Sequence, residues 1–192
     1  MKKSIIIKSA LVLALFTGCS FKSNPINLGE PQMSYKGATS PGKMVNLKSV
    51  TNANPTGNIV GIVKDSKGNI ISEIPTSQVL NQWFDGAIRA QFSMAGLNMS
   101  SESKNIVDIK LTKVELVYID DTFNTKNLNV KVTAEMKLAN TKGTVTREYN
   151  LEDNKYNGTI SGSSELTPYL KDLLTKLTAA MTRDAVNFAG TI

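Results

Sequence analysis

The feature that most constrains the fold is an unbroken alternation of apolar and polar side chains from Leu128 to Leu138. Successive side chains of a β-strand point to opposite faces, so this pattern predicts a long strand with one buried face and one solvated face. The turn-forming residues 140–143 then lead into a second apolar pattern over residues 144–151. Together the two segments predict an antiparallel hairpin.

A further long strand is predicted over residues 106–119, where the alternation changes parity near Thr112 and Lys113. Such a change needs a bulge or a bend at that point. Shorter runs at residues 44–50 and 59–63 are typical of strands, and Ile70 with Ile71 indicates a third short strand that is irregular. The sequence therefore predicts a sheet built mainly from long strands.

Two amphipathic helices are predicted. Between Val79 and Ala95, apolar residues recur at steps of three and four, and the pattern indicates that Trp83 and Phe84 belong to the core rather than to a ligand platform. Gly86 lies in the middle of this helix, which suggests that a neighbouring backbone approaches closely there. The second helix opens at Thr167-Pro168 and ends at Gly190.

These elements predict an α+β fold: a two-layer sandwich with a mostly antiparallel sheet and two amphipathic helices packed on one face. We assign residues 43–192 to a single domain and residues 19–42, which are rich in Ser, Gly, Pro and Asn, to a flexible tether. The alternative is that residues 31–35 pack on the domain as an irregular strand. The one cysteine permits no internal disulfide, so the fold rests on its core.

The first residues have the layout of a secretory signal peptide. Lys2, Lys3 and Lys8 give a basic start, and an apolar run reaches Phe16 shortly before Cys19. The uninterrupted part of this run is much shorter than the roughly 20 residues that span a bilayer. We therefore assign residues 1–18 to a cleaved signal peptide.

The end of that segment, Leu15-Phe16-Thr17-Gly18-Cys19, resembles the bacterial lipobox. The resemblance implies cleavage between Gly18 and Cys19, followed by attachment of diacylglycerol and an N-acyl chain to Cys19. Phe16 departs from the usual leucine, and a free thiol or a retained transmembrane anchor are the alternatives. Ser20 favours the outer membrane, by the sorting rule of enteric-type lipoproteins, and we expect the domain to face the periplasm.

A wider resemblance covers most of the chain. The run Ile62–Ile71, the helix over residues 79–95 followed by Gly96-Leu97, the long strands and the Leu-rich last helix are similar to the YajG-type envelope lipoproteins. The resemblance implies a lipid-anchored protein of the cell envelope without known catalysis. It carries over no functional residue other than Cys19.

The composition excludes several chemistries. The absence of histidine rules out histidine-dependent hydrolases and histidine-ligated zinc sites. We expect no cofactor and no metal. Calcium at Asp65 and Asn69 is the alternative, but a complete calcium loop needs more oxygen ligands than these two residues supply. Candidate carboxylates of a glycoside hydrolase lie in expected loops, where solvated or capping acids are commoner. These carboxylates are Asp120, Asp121, Glu152 and Asp153.

Charge gives no support for a nucleic-acid partner. Removal of Lys2, Lys3 and Lys8 with the signal peptide lowers the formal net charge from +6 to +3, and the remaining basic residues are scattered.

The favoured function is a non-catalytic interaction or accessory module that docks on an envelope protein by its sheet face or a free strand edge. The alternative is a binding module for a lipid, a peptidoglycan fragment or another amphipathic small molecule, which requires an enclosed apolar cavity between helices and sheet. The oligomeric state is left open.

Overall fold

The computed structural model describes residues 21–120, 127–155 and 160–190. Within these ranges seven strands form one mixed sheet, and two α-helices pack against it. A short 3-10 helix, Ser163–Leu166, precedes the second α-helix. In chain order the elements are β1 (Met44–Asn52), β2 (Ile59–Asp65), β3 (Ile70–Pro75), α1 (Leu80–Met94), β4 (Asn98–Met99), β5 (Ile106–Asp120), β6 (Leu128–Asn140), β7 (Gly143–Lys155) and α2 (Thr167–Ala189).

β5 is the central strand of the sheet. One of its edges pairs with β6 along almost its whole length, and β6 in turn pairs with β7. Its other edge is shared, because β1 pairs with the first half of β5 and β2 with the second half. β1 and β2 run parallel to β5, whereas the long β5–β6–β7 unit is antiparallel.

The predicted bulge is confirmed. The β5–β6 register shifts between Leu111 and Lys113, which brings the inward-facing side chains back onto one face. The bulge also marks the place where β5 changes partner from β1 to β2. There the Val114 N–H donates to the Oδ1 atom of Asn54 at 3.2 Å, so a buried asparagine replaces the missing strand partner.

Both helices cover the same face of the sheet, as the α+β sandwich prediction requires. Large side chains from α1 and α2 meet the inward residues of β5 and β6 in one core. The other face carries charged and polar side chains, and β5 and β6 place opposite charges across from each other at Asp108 with Lys137 and at Glu115 with Lys131. The sheet therefore has one dry and one wet face. In the described ranges, no helix is long and apolar enough to cross a membrane.

The segment predicted to be a flexible tether is packed on the domain from Phe21 onward, so that prediction is wrong for its described part. Ile26 and Leu28 are at most 1 % exposed and Tyr35 is 6 % exposed. The Ile26 N–H donates to the Pro75 carbonyl at 2.8 Å, which extends the sheet beyond β3. Isolated apolar side chains set between turn formers hold this segment in the core. The alternative of an irregular strand over residues 31–35 is met only in part, because Tyr35 is buried but these residues form no strand.

Candidate docking surface

β7 is a long outer strand of the sheet. All 13 of its residues pair with β6, and no described strand lies against its other edge. The opposite side of the sheet is different, because the Ile26 amide covers the end of β3 and the Ser23 hydroxyl donates to the Glu73 carbonyl. β4 is only two residues long. In the described part of the chain, β7 thus offers a long open edge.

The hairpin register shows which backbone groups point away from the sheet. Asn140 pairs with Gly143 across only two residues, and such a pair exchanges both of its backbone hydrogen bonds. From there the odd-numbered residues of β7 bond to β6. The even-numbered residues direct their N–H and C=O groups outward, and these are Thr144, Thr146, Glu148, Asn150, Glu152 and Asn154. This row is a template on which an extended chain can add a strand.

An aspartate of α2 fixes the middle of β7. The Asp184 carboxylate accepts hydrogen bonds from the Tyr149 hydroxyl at 2.7 Å and from Nη1 of Arg147 at 2.9 Å. The Asp184 side chain is only 13 % exposed, which strengthens a charge-assisted contact. Burial, and then the bond to Asp184, raises the pKa of Tyr149 well above its usual value, so the hydroxyl remains a donor. These two contacts fasten the middle of β7 to α2.

Glu152 and Asp153 lie in β7, and their prediction as loop residues is wrong because the strand continues to Lys155. Hydrogen bonds from Asn129 and then Asn154 lower the pKa of Glu152, and Asp153 forms an ion pair with Lys155 at 3.0 Å. Neighbours in a strand point to opposite faces, so these two carboxylates cannot act on one bond. Asp120 ends β5, and Asp121 lies outside the described residues.

The carboxylate of Asp65 is used by its own turn. Oδ1 accepts the N–H groups of Lys67 and Asn69 at 2.9 and 2.8 Å, and Oδ2 accepts the Asn69 side-chain amide. The Asn69 bonds lower the pKa of Asp65. These contacts explain Asp65 and Asn69 as the residues that close the β2–β3 turn. Across the residues that the structure describes, no group of three or more acidic, Cys or His side chains could hold a metal ion.

The aromatic pair of α1 is structural. Phe84 is fully buried, and the Trp83 indole N–H donates to the Gly29 carbonyl at 2.7 Å, which fastens the N-terminal segment to α1. A surface cleft of about 520 Å³ lies beside Trp83, with Gly86 in its wall. Apart from the adjacent residues and the backbone of α1 itself, a Cβ atom added at Gly86 would meet no atom within 4 Å. The prediction that a neighbouring backbone approaches Gly86 closely is therefore wrong.

We expect Gly86→Ala to raise the free energy of unfolding by about 0.5–1 kcal/mol, because alanine lowers the cost of ordering a helix interior and meets no clash. Gly61→Ala is the matched control and should destabilise the protein, since its Cβ would lie 2.9 Å from the Leu116 carbonyl oxygen. Urea unfolding followed by circular dichroism measures both changes. If both substitutions change the free energy of unfolding in the same direction, this description of Gly86 is contradicted.

The contact between helices and sheet is filled by side chains. Phe84 and Phe92 of α1 and Leu174 and Leu177 of α2 are fully buried in the same core as Val132 of β6. A second cleft, of about 190 Å³, lies where β1 gives way to β2 beside β5, and polar residues such as Asn54 share its lining. These clefts lie outside the helix–sheet contact, where a carrier of acyl chains would need its cavity.

The predicted modification site, Cys19 with the cleavage flank at Gly18, lies outside the described residues. It stays a prediction from the sequence. The sequence predicted docking on the sheet face or on a free strand edge, but it did not indicate that the edge would be that of β7. Arg147 and Asp153 occupy inward positions of the strand, and charged residues at such positions are a signal of an edge strand.

Comparison with solved structures shows the fold. Protein XCC0632 from Xanthomonas campestris has a TM-score of 0.59 at 10 % sequence identity, with 84 % of this chain and 96 % of that chain covered. An uncharacterized protein gives 0.50 at 11 % identity, with 81 % and 99 % covered. A minor lipoprotein from Acinetobacter baumannii gives 0.43 at 10 % identity, with 76 % and 93 % covered.

A search of curated proteins finds no match. A family model described as uncharacterized lipoprotein matches residues 58–186, which run from the turn before β2 to the last turns of α2. The match covers about two thirds of the chain and agrees with the lipoprotein resemblance carried by the sequence. The chain therefore belongs to this family of uncharacterized lipoproteins.

Proposed function

We propose that this lipoprotein is a non-catalytic interaction module of the bacterial envelope, anchored through lipid on Cys19, and that a partner docks on the outer edge of β7. The observation that carries the docking proposal is the open 13-residue edge of β7, held by contacts from Tyr149 and Arg147 to α2. Membership in a lipoprotein family supports the anchor. Ser20 supports the outer membrane as the site of anchoring, and we propose that the domain faces the periplasm.

The packed N-terminal segment supports one orientation of the anchored domain. Phe21 follows Cys19 by two residues, a length of chain that reaches at most about 7 Å. The Phe21 ring lies 5.7 Å from the ring of Tyr118, near the end of β5, and the Lys22 N–H donates to the Ser161 carbonyl. The end of the sheet at which β5 finishes would therefore face the membrane.

This orientation favours a different envelope protein, and not a second copy, as the occupant of the β7 edge. Two copies related by a two-fold axis would pair their β7 strands antiparallel. Their Phe21 ends would then point in opposite directions along the strands, whereas lipids in one membrane require the same direction. We therefore assign the edge to an extended segment of another envelope protein, bound by backbone hydrogen bonds.

The described side chains give no support for catalysis. The chain has no histidine. The carboxylate of Asp65 is bound by amides of its own turn, that of Glu152 by the Asn129 amide of β6, and that of Asp184 by Tyr149 and Arg147 of β7. The alternative function, a binding module for a lipid, a peptidoglycan fragment or another amphipathic small molecule, would need room between the two layers. Buried side chains occupy that space, so the interaction module is the better supported of the two.

A backbone-directed substitution tests the docking edge. Asn150→Pro removes an outward N–H while the odd-numbered residues keep their bonds to β6, so we expect about tenfold less crosslinked partner from a photoreactive residue placed at Thr146. Asn150→Ala keeps the N–H and is the matched control. In-cell crosslinking followed by mass spectrometry gives the yield and the identity of the adduct.

Three results would count against the proposal. Equal adduct yields from the proline and alanine variants would show that the outward amide of residue 150 has no part in docking. A yield from Lys110, on the polar face of the sheet, that matches the yield from Thr146 would place the partner on that face. An adduct of two identical chains would make a second copy the occupant.

A further inference from the structure

Two neighbouring isoleucines are exposed at the start of β3. Ile70 is 59 % and Ile71 is 52 % exposed, whereas Ile74 of the same strand is fully buried. They directly follow the turn that Asp65 and Asn69 close with three hydrogen bonds. A well-formed turn thus presents two large aliphatic side chains to the surroundings, an arrangement that marks a contact site when a surface is close by.

The turn lies at the anchor-proximal end of the sheet. β2 runs parallel to β5, and Asp65 at the end of β2 is paired with Asp120 at the end of β5. Tyr118, which contacts Phe21, lies two residues before Asp120. The turn therefore extends past the end of the sheet on the side where the chain continues toward Cys19.

The charges around the turn suit a membrane surface. Lys67 is exposed in the turn, and Lys64 is paired with Ile70 across the β2–β3 hairpin. The carboxylate of Asp65 is occupied by amides of the turn, and Asp120 is the acidic neighbour at the end of β5. Aliphatic side chains flanked by lysines are typical of segments that lie at the boundary between headgroups and acyl chains.

We infer that the β2–β3 turn is a second membrane contact, in which Ile70 and Ile71 enter the headgroup–acyl boundary beside the lipid on Cys19. The inference rests on the proposed anchor, because the two-residue link to Phe21 brings the turn to the bilayer. It also defines the orientation of the sheet relative to the membrane. The β2–β3 turn contacts the bilayer, and the β6–β7 hairpin lies at the end of the sheet that is remote from it. The open edge of β7 then runs away from the bilayer into the periplasm.

Depth-dependent quenching tests the contact. We would reconstitute the lipidated protein into phosphatidylcholine and phosphatidylglycerol vesicles whose acyl chains carry bromine near the headgroup, and record the fluorescence of Ile71→Trp. Val145→Trp is the matched control, since Val145 is 47 % exposed and its partner Leu138 pairs with Val107 near the start of β5. The unsubstituted chain gives the contribution of the buried Trp83.

We expect the fluorescence added by Ile71→Trp to be quenched at least about twofold more strongly than that added by Val145→Trp. Equal quenching at the two positions would overturn the inference. Mass spectrometry of the same sample reports the lipid on Cys19, so failure of the anchor is distinguished from failure of the turn contact. Equal quenching in a sample whose Cys19 carries lipid would contradict the turn contact and leave the proposed anchor unaffected.

Discussion

Replacement of Cys19 by serine is expected to abolish stable membrane association of the protein. The thiol is the point at which diacylglycerol would be attached, and each buried methylene of an acyl chain contributes about 0.8 kcal/mol to membrane binding. Two or more chains hold a protein stably, whereas the β2–β3 turn alone offers only Ile70 and Ile71. Fractionation of cells and incorporation of labelled fatty acid measure the effect.

The control for this prediction keeps the cysteine and changes the residue that departs from the lipobox. Phe16→Leu should remain in the membrane fraction and incorporate label at least as well as the unsubstituted chain. If Cys19→Ser stays in the membrane fraction to the same extent as the unsubstituted protein, lipid on Cys19 is not the anchor. A signal peptide retained as an anchor would then be the next explanation to test.

Ile26→Ala is expected to lower the free energy of unfolding by about 2–5 kcal/mol. Ile26 is fully buried, its amide extends the sheet at Pro75, and its carbonyl accepts the Ser77 N–H at 2.9 Å. Removal of its side chain leaves a cavity between the N-terminal segment and the domain. Urea unfolding of the non-lipidated Cys19→Ser protein measures the loss.

Met33→Ala is the matched control in the same segment. Met33 is 62 % exposed, and substitutions at such positions usually change stability by less than about 0.5 kcal/mol. A flexible tether would tolerate both substitutions equally. If Ile26→Ala unfolds at the same urea concentration as Met33→Ala, the segment contributes nothing to the core. The proposal that only a short link joins the anchor to the domain would then be wrong.

Local patterns in the sequence were enough to predict the long strands. The alternation over residues 128–138 corresponds to β6, and the parity change near Thr112 corresponds to the bulge in β5. Both signals sum over many residues of one element, so tertiary context does not alter them. The two helices and the layer arrangement follow from the same kind of evidence.

Contacts between distant segments were not predictable in this way. Ile26, Leu28 and Tyr35 follow no period, and each becomes buried only because β3, α1 and α2 surround the N-terminal segment. The parallel pairing of β1 and β2 with successive halves of β5 is equally non-local. Asn54 belongs to the same class, since its role as a partner for Val114 exists only where the two strands meet β5.

In the candidate site, too, some features were predictable from the local sequence and others depended on tertiary structure. Cys19 and Gly18 were predicted from a short motif, whereas the open edge of β7 required the topology of the sheet. An edge strand and a central strand share the same alternation of side chains. The charged residues Arg147 and Asp153 at inward positions were the local sign that β7 is an edge, and their meaning becomes clear only beside α2 and β6.

The most direct test of the account is the mass of the mature N-terminal peptide of the protein taken from its native membrane. We predict a chain that begins at Cys19, with the added mass of a diacylglycerol thioether and an N-acyl chain and with residues 1–18 absent. A peptide that begins at Met1, or one that begins at an unmodified Cys19, would contradict the claim that this lipoprotein is held at the membrane by lipid.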